Sequence, residues 1–224
     1  GVFAVHLPPQ GGFLMMKWLG CLGVLVVIAL IIGGMALGVY NNLVGQEQAV
    51  DAQWAQVENV YQRRADLIPN LVATVKGAAD FEKSTLESVV QARASVGQVN
   101  LGNLPDDPAA FARFQQAQDA LSSALSRLMV VVERYPDIKA NQNFRDLQVQ
   151  LEGTENRITV ERQRYNERAQ AYNTARLRFP AVVFARLMGF GEKAYFKAAA
   201  GADQAPQVDF QFGDQTAQPA EAPQ

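Results

Sequence analysis

Paired carboxylates are the first residues in this sequence that could do chemistry, because general acid–base catalysis needs two carboxyl groups facing one substrate. Asp106 and Asp107 are adjacent in a loop, and Asp107 precedes Pro108, where it suits a helix cap. Glu152 and Glu155 lie one turn apart and share a helix face, with Arg157 close enough to pair. Glu58, Asp66, Asp80, Glu82 and Glu87 are scattered among bases and read as solvated faces of amphipathic helices. A di-iron bundle needs Glu-x-x-His, and the one histidine, His6, stands far N-terminal. The one cysteine, Cys21, lies inside an apolar run. Zinc sites and Ser-His or Cys-His nucleophile systems are therefore excluded. No GxGxxG or GxxxxGK[ST] loop is present to cradle phosphates. No catalytic residue, metal or cofactor is expected, and the chain is not expected to be an enzyme.

What remains is polar side chains set into long apolar stripes, so the helices that carry them come next. From Tyr135 to Tyr172 the apolar positions recur every seventh residue: Phe144, Leu151, Ile158, Tyr165 and Tyr172. That spacing predicts one long helix packed along one seam. The companion line Leu147, Thr154, Glu161, Arg168 and Ala175 is mostly polar, and Gly153 to Arg157 (GTENR) reads as a polar layer, buried or at an interface. Leu43, Glu47, Val50, Trp54, Val57, Tyr61, Arg64 and Ile68 give an earlier helix with the same 3–4 spacing. Pro69 predicts a kink or break there, with a second helix running from Pro69 to about Val96. A third helix starts at Asp107-Pro108 and carries the seam Phe111, Phe114, Gln118, Leu121, Leu125, Leu128, Val132 and Tyr135 before Pro136. After Phe179-Pro180, Ala181 to Phe190 reads as a short cap over the bundle end, with amphipathic membrane contact as the second reading.

Trp18 to Leu37 carries no charge. At about 1.5 Å per residue such a run spans roughly 30 Å, one hydrocarbon core. It exceeds the apolar core of a cleaved signal, and Cys21 lies too early in it for a lipoprotein signal. Residues 15–39 are therefore expected to form a retained transmembrane anchor, with residues 1–14 an unstructured leader or a misassigned start. Lys17 is the only flanking base, so the positive-inside rule favours a cytoplasmic N-terminus and an external domain. Residues 201–224 are rich in Ala, Gln and Pro, with four acids and no base, and are expected to be disordered; PQVDFQF within them could add to a partner as a strand.

Three stretches carry a resemblance. They are VYNNLV at Val39–Val44, WAQVENVYQRRADLIPNLVATVKG at Trp54–Gly77, and YPDIKANQNFRDLQVQLEGTENRI with RYNERAQAYNT and FP after it. Together they resemble the LemA family of bacterial membrane proteins over roughly residues 17–200. The resemblance implies one N-terminal membrane helix and an all-helical domain, and relatives that take part in building magnetosome membranes. It also allows the opposite orientation, with a cytoplasmic domain, so the side of the soluble domain stays open. The polar residues inside these blocks are the candidates for a polar layer or a partner-binding face. They are Arg63, Arg64, Asp66 and Asn70 around the proline, then Asn141, Asn143, Glu155, Asn156 and Arg157, then Tyr165, Asn166, Tyr172 and Asn173. The recurring Tyr-Asn pairs suit hydrogen bonds between helices that fix register.

The expected architecture is all-α: the anchor, then an antiparallel bundle of about four long helices over residues 40–200. A net charge of −2 over 224 residues argues against a general polyanion binder, so no nucleic acid is expected. The arginines between Arg157 and Arg178 suit pairing within the bundle, anionic lipid or an acidic partner. The expected function is a non-enzymatic scaffold or adaptor of the bacterial cytoplasmic membrane, anchored through residues 18–37, acting on a protein partner or on further copies of itself. A regulatory partner of a membrane protease or phosphatase is the alternative.

Overall fold

The computed structural model describes residues 11–77, 81–99 and 104–198. The expectations for residues 1–10 and for the tail from Gly201 lie outside that range. Residues 11–14, the end of the expected leader, are already helical. Six helices follow in order: α1 Gly11–Lys76, α2 Lys83–Gly97, α3 Pro108–Val132, α4 Pro136–Ala140, α5 Gln142–Leu177 and α6 Ala181–Met188. No strand occurs among the described residues.

α1 is a single helix of 66 residues that joins the apolar segment to the domain without interruption. Trp18 and the large apolar side chains from Leu22 to Leu37 are exposed, whereas Leu43, Val50, Trp54 and Val57 are buried. The helix therefore changes surroundings over a few residues around Tyr40. Pro69 does not break it, contrary to the boundary expected at Ile68-Pro69. A proline lacks the N–H that would bond the carbonyl four residues back. That carbonyl belongs to Ala65, and Arg93 of α2 donates to it through Nε at 3.1 Å. Pro69 itself is exposed. The actual end of α1 is at Lys76, and α2 starts only at Lys83.

The bundle runs up, down, up and down relative to α1. Glu82, before α2, pairs with Arg134 after α3 at 2.8 Å, while Arg93 reaches back to Ala65. α3 runs alongside α1, with Phe111 against Trp54 and Gln118 against Arg64. α5 returns antiparallel, pairing Glu155 with Arg64 and placing Glu161 beside Gln53. The domain is thus the expected antiparallel helical bundle. Its apolar interior forms two blocks. One gathers Trp54, Tyr61, Phe111, Phe114, Tyr165 and Tyr172 near the membrane segment. The other gathers Ile68, Leu71, Val75, Leu121, Leu128, Val132 and Phe144 at the far end.

Two capping residues set the starts of α3 and α5. Asp107 accepts from the Ala109 and Ala110 N–H groups at 2.9 and 3.0 Å, with Pro108 in the first turn, as the sequence implied. Asn141 accepts from the N–H groups of Asn143 and Phe144 at 2.9 and 3.4 Å. The stretch from Tyr135 to Tyr172 is therefore not one helix: Asn141 is extended and restarts the chain between α4 and α5.

Candidate functional site

After α5 the chain turns, forms α6 and leaves it at Gly189, whose φ of +80° is a left-handed conformation that glycine adopts without steric cost. Residues 190–198 then run without helix or strand. This strap lies in a groove between α1, α3 and α5, and carboxamide side chains hold its backbone. Asn173 donates through Nδ2 to the Lys193 carbonyl at 2.9 Å and accepts from the Lys193 N–H at 3.0 Å. Asn166 does the same for Phe196, at 2.9 Å in each direction. Gln115 of α3 does it for Lys197, at 2.8 and 3.1 Å. The Tyr165 hydroxyl donates to the Ala194 carbonyl at 3.0 Å, and the Ala194 N–H donates to the Pro105 carbonyl at 2.9 Å. Every one of these bonds reads backbone, so the groove behaves as a surrogate strand edge.

The spacing explains the sequence repeat. Seven residues of helix advance about 10.5 Å. Three residues of extended chain advance about 10 Å. Asn166 and Asn173, seven apart on α5, therefore meet Phe196 and Lys193, three apart on the strap. Within the Tyr-Asn pairs, Asn166, Asn173 and the Tyr165 hydroxyl fix the register of an extended segment, not that of another helix as the sequence suggested, while Tyr172 packs in the apolar core.

Two strap side chains enter the bundle. Phe196 is 7% exposed and sits among aromatic rings, 4.7 Å from Phe111, 5.5 Å from Tyr165 and 6.1 Å from Trp54 by centroid. The Arg162 guanidinium lies 4.7 Å from its ring centroid and 3.3 Å from Asp119. Lys193 is 1% exposed, an extreme burial for an ammonium group. Its Nζ meets Asp106 at 2.7 Å, Glu47 at 2.9 Å and Asp51 at 3.9 Å, and lies 5.7 Å from the Tyr172 ring centroid. Burial pulls the Lys193 pKa down, but hydrogen bonds to Asp106 and Glu47 outweigh it, so the ammonium holds its proton above the ordinary lysine value. Burial pushes the Asp51 carboxyl up, against the opposing charge of Lys193. One lysine thus ties α1, the loop before α3 and the strap together.

A second polar centre separates the two apolar blocks. Arg64 of α1 is 1% exposed. It donates to Ser122 Oγ and Glu155 Oε2 at 2.8 Å each, to the Gln118 carbonyl at 3.4 Å, and to Gln118 Oε1. Ser122 donates in turn to Glu155 at 3.2 Å. Thr154 is buried beside this layer and donates to the Gln150 carbonyl within its own helix.

The candidate residues therefore divide. Arg64 and Glu155 meet in the inner polar layer, and Tyr165, Asn166, Tyr172 and Asn173 line the strap groove. Asn141 is a helix cap. Arg63, Asp66, Asn70, Asn143, Asn156 and Arg157 are exposed on helix surfaces. Asp66 accepts from Gln62 within one turn, and the Asn70 carbonyl accepts from Thr74. Of the GTENR stretch, Thr154 and Glu155 face the layer, while Gly153, Asn156 and Arg157 point outward. The partner of Glu155 is Arg64 and not Arg157. Sequence reasoning left out Lys193, Phe196, Gln115, Asp106, Gln118 and Ser122 as members of these centres. The Tyr-Asn heptad was the signal for the strap, had it been matched to a three-residue step in KAYF. No metal-binding cluster occurs among the described residues.

A model of the LemA family matches residues 53–210, a span that contains the polar layer and the strap. The chain is 28% identical over 174 residues to the magnetosome protein MamQ of Magnetospirillum gryphiswaldense, covering 70% of this chain and 64% of that protein. It is also 28% identical over 181 residues to the magnetosome proteins MamQ 1 and MamQ 2 of Paramagnetospirillum magneticum, covering 73% of this chain and 66% of each. The chain thus spans less than two thirds of the length of these relatives.

Proposed function

The chain belongs to the LemA family of bacterial membrane-associated proteins, and from that premise we propose that it is a non-enzymatic scaffold or adaptor of the cytoplasmic membrane. The observation that carries the proposal is the unbroken α1. One helix serves both as the apolar membrane segment and as the central element of the bundle. A rod of this kind holds a helical surface at a fixed height beside the bilayer, where proteins or further copies of the chain can assemble on it. The buried charged groups support a structural role. Lys193 with its carboxylates, and Arg64 with Glu155, each join separate elements, and each is occupied in doing so. The curated relatives carry the name magnetosome protein, and a part in organising a membrane is the corresponding proposal for this chain.

Crosslinking in intact cells, followed by purification in mild detergent and mass spectrometry, tests this. A homo-oligomer, or a defined set of membrane proteins bound without an enzyme, is the expected result. A stoichiometric membrane protease or phosphatase would replace the scaffold with a regulatory role.

A further inference from the structure

α6 stands where the bundle meets the membrane segment. Met188, in its last turn, lines one apolar hollow with Leu30, Gly33, Leu37 and Tyr40 of α1. The Phe190 ring just beyond meets Tyr40 edge-on, with centroids 5.8 Å apart. Leu30 to Leu37 form the domain-side part of the uncharged run. That run, about 30 Å long, needs nearly its whole length to cross a hydrocarbon core. α1 is rigid through this region, so the depth of Leu37 fixes the depth of α6. When residues 18–37 span the bilayer, the end of α6 stands at the boundary between hydrocarbon and headgroups.

The outward face of α6 is unlike a water-facing surface. Phe179 is 84% exposed, Val183 51% and Leu187 80%. Val183 and Leu187 lie one turn apart and form an apolar stripe along α6, and Phe179 is exposed in the turn just before that helix. The opposite face is turned inward, with Ala185 buried. Arg178 and Arg186 are exposed beside the stripe, and no acid occurs between Arg178 and Gly191. A contiguous stripe of large apolar side chains marks a contact surface. A short apolar face edged by bases is the pattern of a helix lying in a lipid interface.

We infer that α6 is an interfacial helix: phospholipid covers Phe179, Val183 and Leu187, and Arg178 and Arg186 lie among the headgroups. This rests on the reading of residues 18–37 as the membrane span. Continuity with that span selects lipid over protein, because a protein covering the same stripe would have to enter the headgroup layer. The domain is then attached at two places, through α1 and through α6. The second attachment leads by way of Gly189 directly into the strap.

The test uses the full chain carrying Cys21→Ser, with single cysteines placed in turn at Leu30, Val183, Leu187 and Val130. Each is spin-labelled in vesicles of phosphatidylcholine and phosphatidylglycerol. Collision rates with oxygen and with a water-soluble nickel chelate are then measured by power saturation. Leu30 serves as the reference for lipid and Val130, 71% exposed on α3, as the reference for water. Labels at Val183 and Leu187 should collide with nickel several-fold less than the label at Val130 and should favour oxygen, at a depth shallower than Leu30. Nickel access equal to that of Val130 would overturn the inference, and so would shielding from both reagents, which would show protein on the stripe. An aqueous Leu30 would instead overturn the membrane span itself, and α6 as a lipid helix with it.

Discussion

Lys193 sets one positive charge against Glu47, Asp51 and Asp106. Removing it leaves three carboxylates facing one another. Those carboxylates are partly exposed and can turn to water, so Lys193→Met should cost roughly 1–3 kcal/mol, below the range for a fully buried pair. The folded pKa of Lys193 lies above its usual 10.5. Its stabilisation is therefore complete below pH 10.5 and is lost as pH rises through the folded value. Tyr61 and Tyr172, pushed up from 10.0 to about 12 mainly by burial, act in the same direction. Melting temperature should stay level from neutral pH to about 10 and fall between about 10 and 12. Lys193→Met should melt lower throughout, with a shallower alkaline decline. An unchanged alkaline limb would mean that Lys193 contributes nothing to it. The strap itself is tested by trypsin, because Lys193 is buried whereas Lys197 is exposed. Asn173→Leu removes both bonds to Lys193, and Phe196→Ala empties the aromatic box at a cost of about 3–5 kcal/mol. Both variants should be cut after Lys193 at a rate the parent chain does not show, and resistance in both would mean that the strap is held by something else. The sequence pointed to Tyr165, Asn166, Tyr172 and Asn173 but not to Lys193 or Phe196. The four lie on a periodic helix, where spacing is informative. Lys193 and Phe196 lie on an extended segment whose partners are distant in sequence.

At the scale of elements, the clearest departure from the sequence reading is Pro69. Proline costs a helix one hydrogen bond and a clash, and local reasoning alone ends the helix there. Arg93 restores the lost bond by donating to Ala65, so the arginine on α2 and the proline on α1 are coupled. Arg93→Ala should lower stability by about 0.5–1.5 kcal/mol. In a Pro69→Ala background the same change should cost less, because the Ala73-to-Pro69 pattern of internal bonding then extends to Ala65 through a new N–H. Equal costs in the two backgrounds, measured by denaturant unfolding in one detergent, would show that the two residues are independent. The seams of α1, α3 and α5 were legible because buried side chains repeat at 3.6-residue periods, and Val50, Phe111 and Ile158 all fall on them. The break at Asn141 was not, since the apolar interval of seven runs on through α5 and the preceding residues contain one isolated apolar anchor, Ile138.

The whole molecule is organised by α1, whose 66 residues make a rod about 100 Å long. Charge-free residues 18–37 should hold the full chain in the membrane fraction through carbonate washing, and release by that wash would remove the anchor from the account. A rod alone leaves the tilt of the bundle free. Contact at α6 limits it, because lowering the far end of the bundle either lifts the α6 stripe out of the interface or drives it deeper. The expected posture is therefore upright, with the far end of the bundle, where α1 ends at Lys76, about 60 Å beyond Leu37 along the helix axis. This posture also decides what the arginines of α5 can meet. Arg157 lies beyond Ile158 and Tyr165 from the membrane, so a domain that stands upright keeps it away from headgroups. Arg162 is already engaged with Asp119 and Arg164 with Glu161. Energy transfer from a donor on Val130→Cys to acceptors in the lipid headgroups measures the posture in vesicles. Transfer from Val130 should be weak, and transfer from a donor on Leu187→Cys should be strong. Glycines inserted after Gly38 together with Leu187→Ser should loosen both attachments and raise transfer from Val130. Strong transfer from Val130 in the chain without these changes would mean that the bundle lies along the bilayer. Arg157 would then come within reach of lipid, and a scaffold that displays its surface away from the membrane would be the wrong description.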